Sequence, residues 1–430
     1  MFTYQEALDY ILGTPNPGSV YERNVINTLL KELGDPQKGM KYVHIAGTNG
    51  KGSTSAFMAS ILRCAGYRTG LYTSPYIQRF NERIQVNGEQ IPDEAIAEIT
   101  TEIAAATERV QAQGYRRPTI FELITALGFV WFKRSRCEIV VLEVGMGGRL
   151  DATNSIDESE VAAIVNIGFD HMEFLGDTLP LIAGEKAGII KQGGNVVLYA
   201  QSEEVENVIK KACADKNASL RISDSSLALI KSYDLDGIVF DFGPYKDLHI
   251  SLLGSYQVRN ACTSVTITEA LREKGWNISD KALYEGLKKA HWPGRLELLQ
   301  REPVVIVDGA HNPQGVEALM EAMSLLFPEK KLNIVIAVLA DKDYASSIEI
   351  AKPHAKKFYT VSPPSYRALS SEQLADEIHH HSSVPVDAFD SIPAALRSAL
   401  AESKNDDVIC IFGSLYQVGE IRTYFGRSSF

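Results

Sequence analysis

The chain has 430 residues, of which 45% are hydrophobic and 23% are charged, a composition typical of a globular protein with two or three cores rather than a disordered one. A net charge of −11 without any Lys/Arg block argues against a nucleic-acid-binding surface, and no apolar run approaches the length of a membrane span. Five scattered cysteines without a C-x-x-C pair, and a first segment without a basic or apolar leader, predict reduced thiols in a cytoplasmic protein.

The first predicted functional element is the glycine-rich stretch GTNGKGST at 47–54. An apolar run precedes it and apolar residues at helical spacing follow it, so it joins a strand to a helix. Such a junction presents backbone N–H groups to a phosphate, while Lys51 supplies a charge and Ser53 or Thr54 a hydroxyl near a phosphate-bound Mg²⁺. The match to G-x-x-x-x-G-K-[ST] lacks the first glycine and the final hydroxyl residue, so a tight turn without a ligand stays open.

Polar side chains follow the ends of several predicted strands in the first half of the chain. Strands are predicted at 69–72, 138–143, 161–167 and 196–199, alternating with helices such as 121–132. This alternation predicts a parallel sheet covered on both faces, with the carboxyl ends of its strands at one edge. The side chains expected at that edge, beside the glycine-rich stretch, are Ser74, Glu143, Asp170 and His171.

A hydroxyl, a carboxylate and an imidazole at one edge predict a Mg²⁺ or Mn²⁺ site that also takes nucleotide phosphate oxygens, whereas zinc would recruit thiolates or more imidazoles. Each residue also has a structural alternative. Ser74 can cap the turn before Pro75, Glu143 can form an ion pair at a strand end, and His171 can be a hydrogen-bonded loop residue.

Two further segments carry candidate chemistry. The loop GMGGRLDATN at 145–154 lacks the third glycine of a dinucleotide fingerprint, and its Asp151 is a candidate base or substrate-orienting carboxylate. Lys186 lies inside an apolar segment, which predicts either an ion pair with Glu143 or Asp170 or a lowered pKa and a reactive amine.

The second half of the chain predicts a second unit. Residues 227–253 are rich in β-formers and turn residues and predict a small antiparallel flank, and Pro293-Gly294 marks a hinge. Strands are then predicted at 304–307, 333–339, 358–361 and 408–412, alternating with helices. The predicted fold class is therefore α/β: an N-terminal P-loop-type ATPase domain (1–296) with a parallel sheet and an antiparallel flank, and a C-terminal Rossmann-like domain (297–430), with the active site in the cleft.

A set of motifs in chain order resembles the folylpolyglutamate synthase/dihydrofolate synthase family of Mur-type ATP-dependent amide ligases. The motifs are HIAGTNGKGST at 44–54, TSPY with FNERI at 73–84, EVGMGGRLDATN at 143–154, 168–178, 184–191, WPGRLE at 292–297 and DGAHNP at 308–313. In that family G-T-x-G-K-G-S replaces the general P-loop pattern. The resemblance implies that ATP phosphorylates the terminal carboxylate of a reduced folate and that the amine of L-glutamate displaces the phosphate.

The resemblance also implies a role for individual residues. The implied ATP-binding residues are Asn49, Gly50, Lys51, Gly52, Ser53, Thr54, Asn260, Arg295 and Asp308. The implied ligands of one or two Mg²⁺ ions are Ser74, Glu143, His171 and Lys186, the last as a carbamylated lysine. The implied substrate-binding residues are Thr119, Phe121, Glu122, Asp151, His311 and Ser414, and the implied catalytic residues are Lys51, Lys186, Asp151 and His311. Phe121 has a core aromatic as its alternative, and a monomer is implied.

Three other functions stay open at this stage. A dinucleotide-dependent oxidoreductase would need a complete G-x-G-x-x-G, which the chain lacks. A regulatory nucleotide-binding module would not need the candidate catalytic set. A muropeptide ligase of the same superfamily would differ in substrate, and whether dihydropteroate is a second substrate, how long a glutamate tail is made and which one-carbon folate is preferred are also open.

Overall fold

A computed structural model describes residues 1–14, 23–365 and 367–427 as two α/β units, each with its own sheet. The sheet of the first unit has eight strands in the order β4-β3-β2-β5-β1-β6-β7-β8. Its pairs are parallel from β2 to β8, and β3 and β4 add an antiparallel edge. The strands are β1 (Lys41–Ala46), β2 (Thr69–Tyr72), β3 (Ile84–Val86), β4 (Glu89–Gln90), β5 (Ile139–Glu143), β6 (Val161–Ile164), β7 (Asn195–Tyr199) and β8 (Ser219–Ser223).

Helices cover both faces of this sheet, as expected for parallel strands that are buried on both sides. Alternate residues of β1 face opposite layers, with Val43 and Ile45 packed in one hydrophobic core and Tyr42 in the other. The helices are α1 (Tyr4–Leu12), α2 (Arg23–Glu32), α3 (Lys51–Cys64), α4 (Asp93–Ala112), α5 (Ile120–Arg134), α6 (Met172–Leu175), α7 (Leu179–Ala187), α8 (Glu203–Asp215), α9 (Ser255–Glu273) and α10 (Asp280–Lys289).

The predicted antiparallel flank is a separate three-stranded sheet. It runs in the order β11-β10-β9 and packs its apolar side chains into the core that contains α3, α9 and α10. Its strands are β9 (Leu229–Asp234), β10 (Gly237–Phe242) and β11 (Tyr245–Ile250).

The second unit is a six-stranded sheet in the order β12-β13-β17-β14-β15-β16, parallel except for the edge pair β12-β13. Separate apolar cores lie on its two faces. Its strands are β12 (Glu297–Arg301), β13 (Val304–Val307), β14 (Leu332–Ile336), β15 (Ala355–Thr360), β16 (Val386–Ala388) and β17 (Val408–Phe412), and its helices are α11 (Pro313–Leu326), α12 (Tyr344–Ala351), α13 (Ser371–His381), α14 (Ile392–Glu402) and α15 (Leu415–Tyr424).

The α/β fold class is confirmed, with differences at strand ends. The strand predicted to run to residue 167 ends at Ile164, because the following backbone turns to bond the glycine-rich loop, where Thr48 N donates to Asn166 O at 2.7 Å. The strand predicted at 333–339 ends at Ile336. The sequence analysis did not predict the strands β3, β4 and β8 at the edges of the first sheet or the edge strands β12 and β16 of the second. None of the helices in the described ranges combines the length and the hydrophobicity that a membrane span requires.

Close packing of α10 on α3 predicts a stability effect. A Cβ atom at Gly286 would lie 2.4 Å from Cα and 2.7 Å from N of Ile61, which are backbone atoms that cannot rotate away. We expect Gly286→Ala to lower the free energy of unfolding by about 1–3 kcal/mol through overpacking, even though alanine is the better helix former by ~1 kcal/mol. Urea unfolding followed by circular dichroism measures this.

Gly184 in α7 is the matched control, because a Cβ there would meet nothing within 4 Å. Gly184→Ala is expected to raise the free energy of unfolding by up to ~1 kcal/mol. Equal stability of the two variants would contradict the packing argument.

Candidate active site

The carboxyl ends of four neighbouring parallel strands, β2, β5, β1 and β6, form one rim of the first sheet. The glycine-rich loop follows β1, Ser74 follows β2, Glu143 ends β5, and the loop with Asp170 and His171 follows β6. The structure therefore brings together the residues that the strand-end rule predicted to meet.

The glycine-rich loop (47–50) needs its glycines for close approach. Gly50 has φ +89°, and a Cβ there would lie 2.5 Å from Asn260 Oδ1, so the loop and α9 are in contact. A Cβ at Gly47 would lie 2.2 Å from a methyl group of Val165. These contacts hold the loop against the sheet and leave the first N–H groups of α3 at its mouth.

Hydroxyl and amide groups support the start of α3. Gln257 Nε2 donates to Ser53 Oγ at 3.1 Å, and Asn260 Nδ2 donates to Gln257 Oε1 at 3.0 Å. Asn49, by contrast, points toward the second unit, where its Nδ2 donates to Gln314 Oε1 at 2.9 Å. Thr54 is buried, and its hydroxyl has no hydrogen-bond partner in the described part of the chain.

Two lysines converge on the glycine-rich loop. Lys51 Nζ donates to the carbonyls of Gly47 and Thr48 at 3.1 and 3.2 Å, and Lys186 Nζ donates to Gly47 O at 2.9 Å. Burial and the charge of Lys51 lower the pKa of Lys186 to about 7. Among the described residues Lys186 forms no ion pair, so the predicted pair with Glu143 or Asp170 is wrong; its amine donates to Gly47 O, and Asp170 pairs with Lys342 from the second unit. The lowered pKa favours the alternative of a reactive amine.

Glu143 lies at the centre of the rim and is 3% exposed. Its Oε2 accepts a hydrogen bond from the backbone N–H of Ser74 at 3.3 Å. Burial raises the pKa of Glu143 to about 7, opposed by the positive charges of Lys51, Arg295 and Arg83. A desolvated carboxylate without an ion-pair partner in the described residues is a strong candidate to bind a cation.

His171 and Asp170 lie in the loop after β6, and this loop contacts the second unit. His171 has φ +51° at the N-cap of α6, and its Nε2 lies 3.8 Å from Asp170 Oδ2. Lys342 Nζ donates to Asp170 Oδ1 at 3.2 Å. Burial lowers the pKa of His171, while the charge of Asp170 opposes this.

The second unit contributes a buried carboxylate at the hinge. Asp308 Oδ2 accepts from Leu296 N at 2.7 Å and from the Tyr256 hydroxyl at 3.2 Å, and its Oδ1 accepts from Ala310 N at 2.7 Å. Burial raises the pKa of Asp308, and the charge of Arg295 opposes this. The hinge residues are thus held between α9 and the loop after β13.

His311 and Ser414 lie at strand ends of the second sheet. His311 Nδ1 donates to the carbonyl of Gly309 at 2.8 Å, which leaves Nε2 as an acceptor. Burial lowers the pKa of His311 to about 4, so the imidazole is neutral. Ser414 is buried and caps α15, where its Oγ accepts from Tyr416 N at 3.2 Å. Both residues also serve local structure.

The segment before α5 forms a capping box. Thr119 Oγ1 accepts from Glu122 N at 3.3 Å, and Thr119 N donates to Glu122 Oε2 at 2.7 Å. Arg116 also pairs with Glu122 at 2.8 Å. Phe121 is partly exposed and covers Gly145, where a Cβ would lie 2.4 Å from its ring. The start of the loop at 145–154 therefore packs against the ring of Phe121.

Asp151 is engaged with its own loop through both carboxylate oxygens. Oδ1 accepts from Thr153 N at 3.0 Å and Thr153 Oγ1 at 2.6 Å, and Oδ2 accepts from Met146 N at 3.0 Å. Burial raises the pKa of Asp151, and these hydrogen bonds oppose the shift. This geometry fits an orienting carboxylate better than a free base.

The loop after β2 docks on the second unit. Glu82 accepts from the backbone N–H groups of Ile77 and Gln78 at 2.7 and 2.9 Å, which fixes the loop. Arg422 Nη1 of α15 donates to Gln78 Oε1 at 2.6 Å, and the same guanidinium pairs with Glu297 at 3.2 Å. This loop, which begins at Ser74, is therefore attached to the carboxyl-terminal helix and the hinge.

Sequence reasoning missed several residues that contact the predicted site. Lys342 follows β14, so applying the strand-end rule to the second sheet would have found it. No local signal marks the others, whose positions depend on contacts between segments far apart in the chain; these residues are Tyr256, Gln257, Gln314 and Arg422.

The side chains at the rim determine which metal ions this site can bind. The described residues contain no group of three or more His, Cys, Asp and Glu side chains that could hold a metal ion alone. Mg²⁺ does not require such a group, because it is commonly bound by one or two protein ligands, water and substrate phosphates. The buried Glu143 beside the glycine-rich loop fits that pattern.

Comparison with known proteins identifies the family of the chain. Family models match residues 45–268 as the Mur ligase middle domain and 294–415 as the Mur ligase, glutamate ligase domain. The dihydrofolate synthase/folylpolyglutamate synthase of Bacillus subtilis (strain 168) is 38% identical over 98% of this chain and 99% of its own.

Two solved structures are similar over almost the whole chain. Mycobacterium tuberculosis folylpolyglutamate synthase, complexed with ADP and AMPPCP, has a TM-score of 0.90 at 30% identity, covering 99% of this chain and 100% of that one. Escherichia coli FolC, in complex with DHPP and ADP, has a TM-score of 0.86 at 28% identity, covering 99% and 98% of the two chains.

Both α/β units thus match Mur ligase domains, and the chain is an ATP-dependent ligase of the Mur type. Within that class, the chain belongs to the dihydrofolate synthase/folylpolyglutamate synthase family. The predicted ATP binding and family are thereby confirmed.

Proposed function

We propose that this enzyme joins L-glutamate to the terminal carboxylate of a reduced folate by way of an acyl phosphate, and so makes folylpolyglutamates. The observation that carries the proposal is the buried carboxylate of Glu143, which lies beside the glycine-rich loop and within electrostatic range of Lys51 and of Arg295 at the hinge. Charge neutralisation and positioning at such a rim are what phosphoryl and acyl transfer need from a protein.

The nucleotide is bound by the first unit and the hinge in this proposal. The N–H groups at 49–54 and the ammonium of Lys51 hold the phosphates, with Gly50, Gly52, Ser53 and Thr54 shaping the start of α3. Asn260 contacts the nucleotide from α9, and Arg295 at the hinge and Asp308 in the second unit reach its γ-phosphate and ribose side. The contact between Asn260 and Gly50 supports this assignment, because it puts the two elements side by side.

Mg²⁺ would be held by Ser74, Glu143 and His171, together with phosphate oxygens. When bound, the ion supplies charge neutralisation to the phosphates. The buried carboxylate of Glu143, which has no ion-pair partner in the described part of the chain, supports the fit. A second ion would use Lys186 as a carbamate, and the lowered pKa of Lys186 supports this because carbon dioxide adds to an unprotonated amine.

The folate and the glutamate enter from opposite sides of the rim in this proposal. Thr119, Phe121, Glu122 and Asp151 face the folate. The neutral His311 and Ser414 face the incoming glutamate, where His311 Nε2 accepts a hydrogen bond from its ammonium or amine. Dihydropteroate, whose carboxylate has the same chemistry, is a second proposed substrate.

We also propose a unit boundary between Leu296 and Glu297, because β12 begins at Glu297 and pairs only within the second sheet. A monomer is proposed because one chain contributes every residue named here. The five cysteines, all within the described residues, are free thiols, which supports a reducing, cytoplasmic location.

A phosphate-release assay tests the reaction. The purified enzyme with ATP and L-glutamate is given, in separate reactions, dihydropteroate, mono- and diglutamyl tetrahydrofolate, or a UDP-muropeptide. We expect glutamate-dependent release with the tetrahydrofolates. Release with the muropeptide alone would identify a muropeptide ligase, and no release with any acceptor would favour a nucleotide-binding module.

The metal role of His171 predicts a changed Mg²⁺ requirement. We expect His171→Ala to raise the Mg²⁺ concentration for half-maximal activity by at least about tenfold, because a ligand is lost. The measurement is a Mg²⁺ titration at saturating ATP. Met172→Ala is the control for perturbation of the loop, because Met172 is the next residue and its side chain is 46% exposed. An unchanged titration of His171→Ala would remove this residue from the metal site.

A further inference from the structure

A buried hydrogen-bond chain runs from the middle of β1 to Asp151. His44 is 0% exposed, and its Nε2 lies 2.9 Å from Thr153 Oγ1, which is likewise 0% exposed. Thr153 Oγ1 in turn lies 2.6 Å from Asp151 Oδ1. The chain thus connects the interior of the sheet to the carboxylate that follows β5.

The donors and acceptors in this chain have one consistent assignment. Burial lowers the pKa of His44 to about 3, so the imidazole is neutral and carries one ring hydrogen. The hydroxyl of Thr153 has a single hydrogen, which goes to the carboxylate of Asp151. Nε2 of His44 must therefore carry the ring hydrogen and donate it to Thr153. Nδ1, the other ring nitrogen, has no partner among the described residues.

The chain controls the geometry of a loop rather than one side chain alone. Asp151 also accepts hydrogen bonds from the backbone N–H groups of Thr153 and Met146, so its carboxylate ties together both ends of the loop. The start of that loop, Gly145, lies against the ring of Phe121. A displacement of Asp151 would therefore shift the start of the loop, which packs against Phe121.

The side chain of His44 faces away from the nucleotide side of the sheet. Val43 and Ile45, its neighbours on β1, pack in the core that contains α3, whereas His44 reaches the loop after β5 on the opposite face. An effect of His44 is thus expected at Asp151 and Phe121 and not at the phosphate-binding N-terminus of α3.

We propose that His44 and Thr153 are positioning residues for the folate substrate. They orient Asp151 and hold the start of the loop at 145–154 against Phe121, so they determine the affinity for the pteridine-bearing substrate and not for ATP. The proposal rests on the assignment of folate to the Phe121 and Asp151 side of the rim.

Paired variants test this chain. Thr153→Val keeps the shape of the side chain but removes the hydroxyl, and we expect it to raise the KM for monoglutamyl tetrahydrofolate by about tenfold or more. The KM for ATP should change by less than about twofold, because the phosphate loop is not part of the chain. Thr153→Ser, which restores the hydroxyl, should recover most of the lost folate affinity.

A second pair of variants, one without the hydrogen-bond donor and one with a replacement donor, tests His44. His44→Leu removes the donor and should raise the folate KM, while His44→Gln, whose amide can donate from a similar position, should restore it in large part. Thr107→Val is the control, because Thr107 is also a buried threonine but lies on α4, away from Asp151. Thermal unfolding of each variant checks that it is folded.

Two outcomes would overturn the proposal. One is a folate KM of Thr153→Val equal to that of the wild type or of Thr107→Val. The other is an equal rise in the KM values for folate and ATP, which would indicate a general loss of structure. If His44→Leu does not fold, the comparison of Thr153→Val with Thr153→Ser still decides. Failure of the wild-type enzyme to use any folate would instead refute the proposed function itself.

Discussion

Lys51→Ala is expected to lower kcat by about 10²–10³-fold, the size of effect seen when one charge-stabilising donor is removed from a transition state. Lys51 Nζ already lies in the glycine-rich loop, bonded to the carbonyls of Gly47 and Thr48. Steady-state kinetics with ATP as the varied substrate measure the loss.

Lys51→Arg is the matched control for the loop charge. It keeps the positive charge but replaces a compact ammonium with a wider, planar group, so partial activity is expected. Turnover of Lys51→Ala close to that of the wild type would contradict the phosphate role. Because the charge of Lys51 lowers the pKa of Lys186, the alanine variant should also raise that pKa and disfavour carbamylation.

Lys186→Ala is expected to lower kcat by at least about 10²-fold if a carbamate at this position helps to neutralise the reacting groups. The variant leaves a cavity that a small carboxylic acid can enter. We therefore expect acetate or formate to restore part of the activity. The measurement is phosphate release against acid concentration, with chloride at equal ionic strength as the salt control.

Lys186→Arg separates the charge from the carbamate. Arginine keeps a cation beside Gly47 but does not form the carbamate, so this variant should be inactive and should not respond to added acid. A carbon-13 carbamate resonance after addition of labelled bicarbonate is expected for the wild type and not for Lys186→Arg. Full activity of Lys186→Arg would contradict the carbamate proposal.

The rim of the first sheet could be predicted from the sequence because it depends on local patterns. Ser74, Glu143 and His171 each follow a strand, and in a parallel sheet strands that end together deliver their next residues to one edge. This prediction needs only the local sequence of each strand and not the distances between remote segments. The antiparallel sheet β9 to β11 was also predictable from a local pattern, because β-forming residues and turn residues occur together within one segment.

Features that depend on contacts between remote segments, or on very short strands, could not be predicted. Asp170 pairs with Lys342 rather than Lys186, and only the relative position of the units decides between these partners. The early end of β6 at Ile164 depends on a bond between Thr48 and Asn166, two segments far apart in sequence. Short edge strands such as β16 carry too few residues for a clear alternating pattern.

The attachment of Gln78 to Arg422 has a consequence for dividing the protein into fragments. A fragment that ends at Leu296 would contain the whole nucleotide loop, yet the segment that begins at Ser74 would lose its support from α15. Glu297 would be absent as well, so Gly294 would lose the acceptor of its N–H group. Each half alone is therefore expected to be inactive, and activity is expected to return when the two halves are mixed. The second half of a distant relative should replace the native one only if it supplies an equivalent of Arg422.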